Sequence, residues 1–180
     1  MLTPDFAVKF QLELFPETEV CIALFKDVKN VDEIKNIIMA GEIDAALLSP
    51  KMIIDPFQVL IAANKTLHVK KHGLKMQTRN INSEVLFNLS PTNNISASFK
   101  RFGLTQEDTG LLAVTLDDAS LDKMLAVESS VDGCAVSLDD LASFTDESLI
   151  KQVYKIQEEE LRVCSVLDAV VSRMSGKEML

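Results

Sequence analysis

Two six-residue runs, Val20-Cys21-Ile22-Ala23-Leu24-Phe25 and Leu111-Leu112-Ala113-Val114-Thr115-Leu116, constrain this chain more than any other feature. Successive side chains of a strand point to opposite faces, so a strand with one wet face alternates apolar and polar residues. Neither run alternates. Both faces of each must be covered, which places these strands in the interior of a sheet. By contrast, Phe6-Ala7-Val8-Lys9-Phe10-Gln11-Leu12 does alternate and reads as a half-buried strand, with Pro16 closing that region.

Helix signals lie between the runs. Asn30 or Asp32 caps a helix over Val31 to Ala40, with Ile34, Ile37 and Ile38 as its stripe and Gly41 as its stop. Asp55-Pro56 opens a helix from Phe57 to about His72, ended by Gly73. A short segment follows Ile43 to Leu48. Ser83 to Leu89, centred on Val85-Leu86-Phe87, reads as a strand, and Ser90-Pro91-Thr92-Asn93-Asn94 is turn chemistry. A helix over Ile95 to Phe102 stops at Gly103. Three shorter helices fit residues 118–129, 137–143 and 146–156, and a long C-terminal helix fits Glu158 to about Ser175. The expected class is α/β or α+β. We expect one domain over residues 1–180, with a sheet of about four mostly antiparallel or mixed strands packed with several helices. At 180 residues and 47% hydrophobic content, folding buries roughly 70% of the unfolded surface. A core of that size needs no disulfide or metal.

The three cysteines, Cys21, Cys134 and Cys164, form no Cys-x-x-Cys pair and no even framework. Cys21 and Cys164 sit in apolar runs and read as small buried hydrophobes. With no signal-peptide pattern at the N-terminus and no transmembrane run, they predict a reducing, intracellular setting.

The net charge of −9 at first argues against a nucleic-acid partner. The charge is unevenly spread. Residues 1–100 are neutral, and within 65–101 seven cations (Lys65, Lys70, Lys71, Lys75, Arg79, Lys100, Arg101) face only Glu84. Residues 102–150 carry eleven acids against Lys123 alone. Beyond about 8 Å in physiological salt distant charges count little, so the total does not veto a local phosphate contact. A solvated face is the other reading of the same island.

Catalytic patterns are missing. There is no Gly-x-Gly-x-x-Gly, no Gly-Lys-Ser/Thr and no Gly-x-Ser-x-Gly. Asp117-Asp118 and Asp139-Asp140 read as helix caps. His68 and His72 share the i, i+4 spacing of metal ligands, but lysines surround them and no acid adjoins. We expect no enzyme activity, metal or cofactor. Asn64, with His68, falls near the centre of the face drawn by Leu60, Ile61 and Leu67. It is either a hydrogen-bonded structural residue or the lining of a groove with Lys65 at the rim. In the final helix, Val163, Cys164, Val166, Leu167, Val170, Val171 and Met174 cover roughly 220° of the wheel, twice what a surface helix needs. That helix is either central in its own domain or shared with a partner.

Several longer motifs carry a resemblance. Leu14-Phe15-Pro16-Glu17, Leu24-Phe25-Lys26-Asp27-Val28-Lys29-Asn30, the run from Asp55 to Lys65, Phe87-Asn88-Leu89-Ser90-Pro91 with Asn93-Asn94-Ile95-Ser96, and Leu167-Asp168-Ala169 with Arg173-Met174-Ser175 closely resemble the PRPK-binding family, the small kinase-binding subunits of the KEOPS (EKC) complex. The match runs nearly end to end. The resemblance implies a non-catalytic subunit that binds the PRPK kinase/ATPase subunit on its N-terminal lobe. It supports threonylcarbamoyl modification of the adenosine beside the anticodon, in cytoplasm and nucleus, without a cofactor and without a membrane. It also suggests help in holding tRNA. On this basis the expected partner-binding residues are Asn93, Asn94, Ile95 and Phe99 with Leu167, Val170, Val171 and Met174. The expected RNA-binding residues are Asn64, Lys65, Lys70, Lys71, Lys75 and Arg79. Few aromatics are available for base stacking, so RNA binding by the chain alone should be weak. An adaptor that regulates a kinase without touching RNA is the alternative.

Overall fold

A computed structural model of the chain describes residues 6–177. Among the described residues five strands form one open sheet: β1 (Ala7–Leu12), β2 (Phe15–Lys26), β3 (Ala46–Leu48), β4 (Leu111–Leu116) and β5 (Cys134–Val136). The order is β1-β2-β4-β3 and every pairing is antiparallel. β5 pairs with Leu24–Lys26 of β2, so β1 and β5 serve different stretches of that strand.

The two nonalternating runs are β4 and the inner half of β2, and the reason for their composition is visible. Val20, Ile22 and Leu24 with Leu112, Val114 and Leu116 enter one core; Cys21, Ala23 and Phe25 with Leu111 and Ala113 enter another. Helices cover both faces of this antiparallel sheet. The first core is closed by α2 (Pro56–Lys71), α3 (Ile81–Leu89), α4 (Ile95–Phe102), α6 (Glu147–Tyr154) and α7 (Val166–Gly176). The second is closed by α1 (Val31–Ala40) and α5 (Asp122–Ser130). The result is the expected α+β architecture.

Four local expectations need correction. First, Ser83–Leu89 is helix, not strand. Asn80 accepts from the Ser83 N–H at 2.8 Å, and the buried Glu84 carboxylate accepts from the Gln77 and Thr78 N–H groups and the Thr78 hydroxyl. The cap and the inward i, i+4 pair Val85 and Leu89 outweigh the strand preference of the Val-Leu-Phe centre. Second, Pro16 lies inside β2 rather than closing a region. The hairpin turns at Glu13-Leu14, and the register shifts between Gln11 and Leu12, where a residue without an N–H is tolerated.

Third, the final helix starts at Val166 rather than Glu158. Ser165 and Asp168 form a reciprocal capping box, with a single 3-10 turn, Glu160–Arg162, before it. Val163 is 87% exposed and Cys164 only half-buried, so the wide apolar arc does not belong to one helix. Fourth, α2 buries Val59, Ala62, Ala63, Thr66 and Leu67. Its core face runs through alanines, about a third of a turn from the face drawn by the larger residues. Asn64 is therefore half-exposed and His68 exposed.

A buried polar network holds the helices of the first core together. Tyr154 Oη donates to the Leu89 carbonyl at 2.5 Å and accepts from Gln58 Nε2 at 3.0 Å; Gln58 Nε2 also donates to the Met52 carbonyl. Asn88 donates to Thr66 Oγ1, joining α3 to α2. On the other face burial pushes the Cys21 thiol up to about 11, as suits a cysteine that fills space.

Candidate interaction surfaces

The turn before α4 shapes the first surface. Asn94 caps α4 by accepting from the Ala97 N–H at 2.9 Å. This fixes the helix so that Ser98 and Phe102 turn inward while Ile95 and Phe99, one turn apart, remain 37% and 38% exposed. Phe99 faces a groove of about 600 Å³ bounded by α1, α3 and the β3 edge, with Met39 and Leu86 among its walls. Asn93 has a different role: its amide donates to the Lys177 carbonyl at 3.3 Å.

The second surface is α7. Ala169, Val170 and Met174 are buried in the first core, whereas Leu167 and Val171 are half-exposed. As anchors for a partner, Val170 and Met174 are therefore corrected: they seat the helix, and the neighbouring pair is what the helix presents. Arg173 clasps Glu160 through two 2.7 Å contacts and donates to the Ala169 and Lys155 carbonyls. The guanidinium holds the Glu160 carboxyl below the usual carboxylate range. A cleft lined by Pro91, Thr92, Ser172, Arg173 and Gly176 lies between the pre-α4 turn and α7.

The basic candidates separate. Lys65 donates to the Met174 carbonyl at 3.0 Å and is half-buried, so it is a structural tie between α2 and the end of α7. Lys71 pairs with Glu17 at 2.9 Å and lies over the Phe15 ring. Lys70, Lys75 and Arg79 are exposed at the end of α2 and in the segment leading to α3. The Lys123 ammonium bonded to Asp44 holds that carboxyl below the usual carboxylate range against the opposing effect of burial, with Asn82 and, least, the charge of Lys70 adding to the pull. The His68 and His72 ring centres lie 4.4 Å apart with the planes tilted by 47°. Among the described residues no three of His, Cys, Asp or Glu come together as metal ligands.

Sequence reasoning missed two further features. Lys177 is buried, donates to the Phe87 carbonyl and sits 3.2 Å from the centre of the Phe87 ring. No sequence pattern marks that role. Lys51 approaches Asp108 at 2.8 Å across a long sequence separation that no local signal reveals.

Comparison with known proteins places these surfaces in context. A family profile described as kinase binding protein CGI-121 matches residues 25–178. The chain is 44% identical over 172 residues to the zebrafish EKC/KEOPS complex subunit TPRKB, covering 93% of this chain and 96% of that protein. It is 32% identical over 148 residues to the EKC/KEOPS complex subunit CGI121 of Yarrowia lipolytica, covering 79% and 83%. With the Schizosaccharomyces pombe subunit cgi121 it shares 29% identity over 170 residues, or 90% and 97%.

Proposed function

We infer the function from one premise: the chain belongs to the CGI-121 family of kinase-binding proteins. It acts as a non-catalytic subunit of an EKC/KEOPS-type complex in cytoplasm and nucleus. There it binds the PRPK kinase/ATPase subunit and supports threonylcarbamoyl modification of tRNA. The observation that carries this reading is the match to named complex subunits over nearly the whole chain. Two sets of accessible apolar side chains support it: Ile95 and Phe99, exposed on α4, and Leu167 and Val171, half-exposed on α7. A few exposed apolar anchors on rigid helices are what a stable heteromeric contact uses.

The test is capture of purified PRPK by variants that keep the native circular dichroism. Ile95→Glu with Phe99→Glu, and separately Leu167→Glu with Val171→Glu, should each weaken capture by at least about 2 kcal/mol, roughly thirtyfold. Native capture by both pairs would remove these side chains from the kinase interface.

For RNA, the exposed Lys70, Lys75 and Arg79 are the contacts of choice, because Lys65 and Lys71 already hold intramolecular partners. Reversing the three to Glu should lower tRNA crosslinking in the assembled complex and flatten its salt dependence. Full crosslinking with an unchanged salt slope would favour the kinase adaptor without RNA contact.

A further inference from the structure

Outside the surfaces just described, a cleft of about 410 Å³ opens between the Ser49–Met52 turn, the last turn of α4 and α6. Its polar wall carries three cations, Lys51, Lys100 and Arg101. The single carboxylate there, Asp108, is fully engaged. One oxygen accepts from Lys51 Nζ at 2.8 Å and Ser49 Oγ at 3.0 Å; the other accepts from the Thr105 N–H and hydroxyl, both at 2.8 Å. Its side chain is 2% exposed while that of Lys51 is 43% exposed, so the carboxylate is spent inside and the ammonium still faces the cleft. Lys100 and Arg101 are exposed beside it. Three cations against one satisfied carboxylate leave a surplus of two positive charges. The opposite wall is apolar, with Met52, Leu149 and Val153.

We propose that this cleft binds a phosphomonoester: a dianionic phosphate on an organic stem, the phosphate on Lys51, Lys100 and Arg101 and the stem on the Met52, Leu149 and Val153 wall. The charge fits, because a phosphomonoester carries about −1.5 to −2 at neutral pH. The donors fit, because Lys and Arg make the strong charge-assisted bonds that phosphate oxygens accept. The acids nearest in sequence on α6 are engaged elsewhere: Asp146 accepts from the Leu149 N–H at 3.0 Å and Glu147 pairs with Lys151 at 3.0 Å. The site is independent of the kinase reading, which rests on other residues.

The test is an amide-resolved NMR titration of the full chain. The probes are inorganic phosphate, adenosine 5′-monophosphate and O-phosphoserine, each against sodium chloride at matched ionic strength. Saturable shifts at Ala97, Thr105 and Val153 with the phosphates, absent with chloride, are expected. Lys100→Glu with Arg101→Glu, both on exposed positions, should weaken binding at least about tenfold. Lys26→Glu, at an exposed position outside the cleft and outside the RNA candidates, should leave it unchanged. Tighter binding of the nucleotide than of phosphoserine points to a free nucleotide as source; the reverse order points to a phosphorylated protein side chain. Shifts no larger than those of chloride, or shifts that survive the double reversal, overturn the proposal and leave Lys100 and Arg101 as complements to the α4 dipole. An RNA oligonucleotide lacking terminal phosphates that moves the same amides at lower concentration than the monoesters also overturns it, in favour of a nucleic-acid groove.

Discussion

Tyr154 offers a direct test of the core. It is the only tyrosine in a chain without tryptophan, and it is 1% exposed. Burial pushes its phenol far above the ordinary value, against a weaker opposing pull from the Gln58 hydrogen bond. In the unfolded chain the phenol releases its proton near pH 10. Ionisation in the folded state would instead place a charge in the core and remove the donor to Leu89. The folded phenol therefore holds a proton that the unfolded one has lost. The stabilisation this proton confers is complete below about pH 10, and it falls by about 1.4 kcal/mol per pH unit above that. The assay is an alkaline titration followed at once by phenolate absorbance and far-ultraviolet circular dichroism. Phenolate should appear only as helix signal is lost, in one step. Tyr154→Phe should lack this contribution to the pH slope. It should also be less stable at pH 7 by about 1–3 kcal/mol, because the Leu89 carbonyl is orphaned and Gln58 keeps only Met52 as acceptor. For a chain of this size that is a melting shift of about 2–4 °C per kcal/mol. A phenolate that forms near pH 10 with intact dichroism would place Tyr154 in contact with water and refute the packing of α2, α3 and α6 around it.

Three further outcomes follow from packing and charge. Val170→Ala should cost about 2–3 kcal/mol in urea unfolding, against less than about 1 kcal/mol for the half-exposed Val171→Ala; equal losses would contradict the orientation of α7. Asp108→Asn should lower stability by about 1–3 kcal/mol near neutrality. Burial raises the Asp108 pKa, but the Lys51, Thr105 and Ser49 bonds outweigh it and bring the net value down. The gap to wild type should thus be full above about pH 4 and close as pH falls through the folded carboxyl's value; a gap that persists in acid would mean the ion pair does not carry it. Gly103→Ala should destabilise by about 1–3 kcal/mol, since an added Cβ meets the Phe99 carbonyl oxygen at 2.6 Å and backbone cannot swing aside. Chevron or melting data showing no loss would count against the close approach of Gly103 to α4.

What the sequence made legible is what local chemistry decides. Asp55-Pro56 starts α2, Gly41 in left-handed conformation ends α1, α4 spans Ile95–Phe102 after the Ser90–Asn94 turn, and the two nonalternating runs are the interior strands. The failures share a cause: tertiary context chose between two locally acceptable states. Val85-Leu86-Phe87 suits a strand until Asn80 caps it and Asn88 reaches Thr66. The helical wheel of α2 favoured its large residues, whereas close packing selected the small ones, Ala62 and Ala63. The candidate sites were readable as motifs but not as orientation. The same four-residue spacing that groups Val170 with Met174 also hides which side of α7 meets the chain's own core. Lys51 and Asp108 are paired only by the fold.

The position of β2 sets how the chain must assemble. Its partner β1 is closed by a tight hairpin, so that pairing forms early at small entropic cost. The pairs Phe25 with Leu111 and Phe25 with Ala135 join residues far apart in sequence. Such pairings lose loop entropy before any contact is gained and slow folding. One strand thus acts as the template on which early and late segments are hung in turn. While β2 waits for β4 and β5, its Val20–Phe25 face stands open. Nascent chains should be most prone to association in that interval, before the acidic second half arrives to close the sheet.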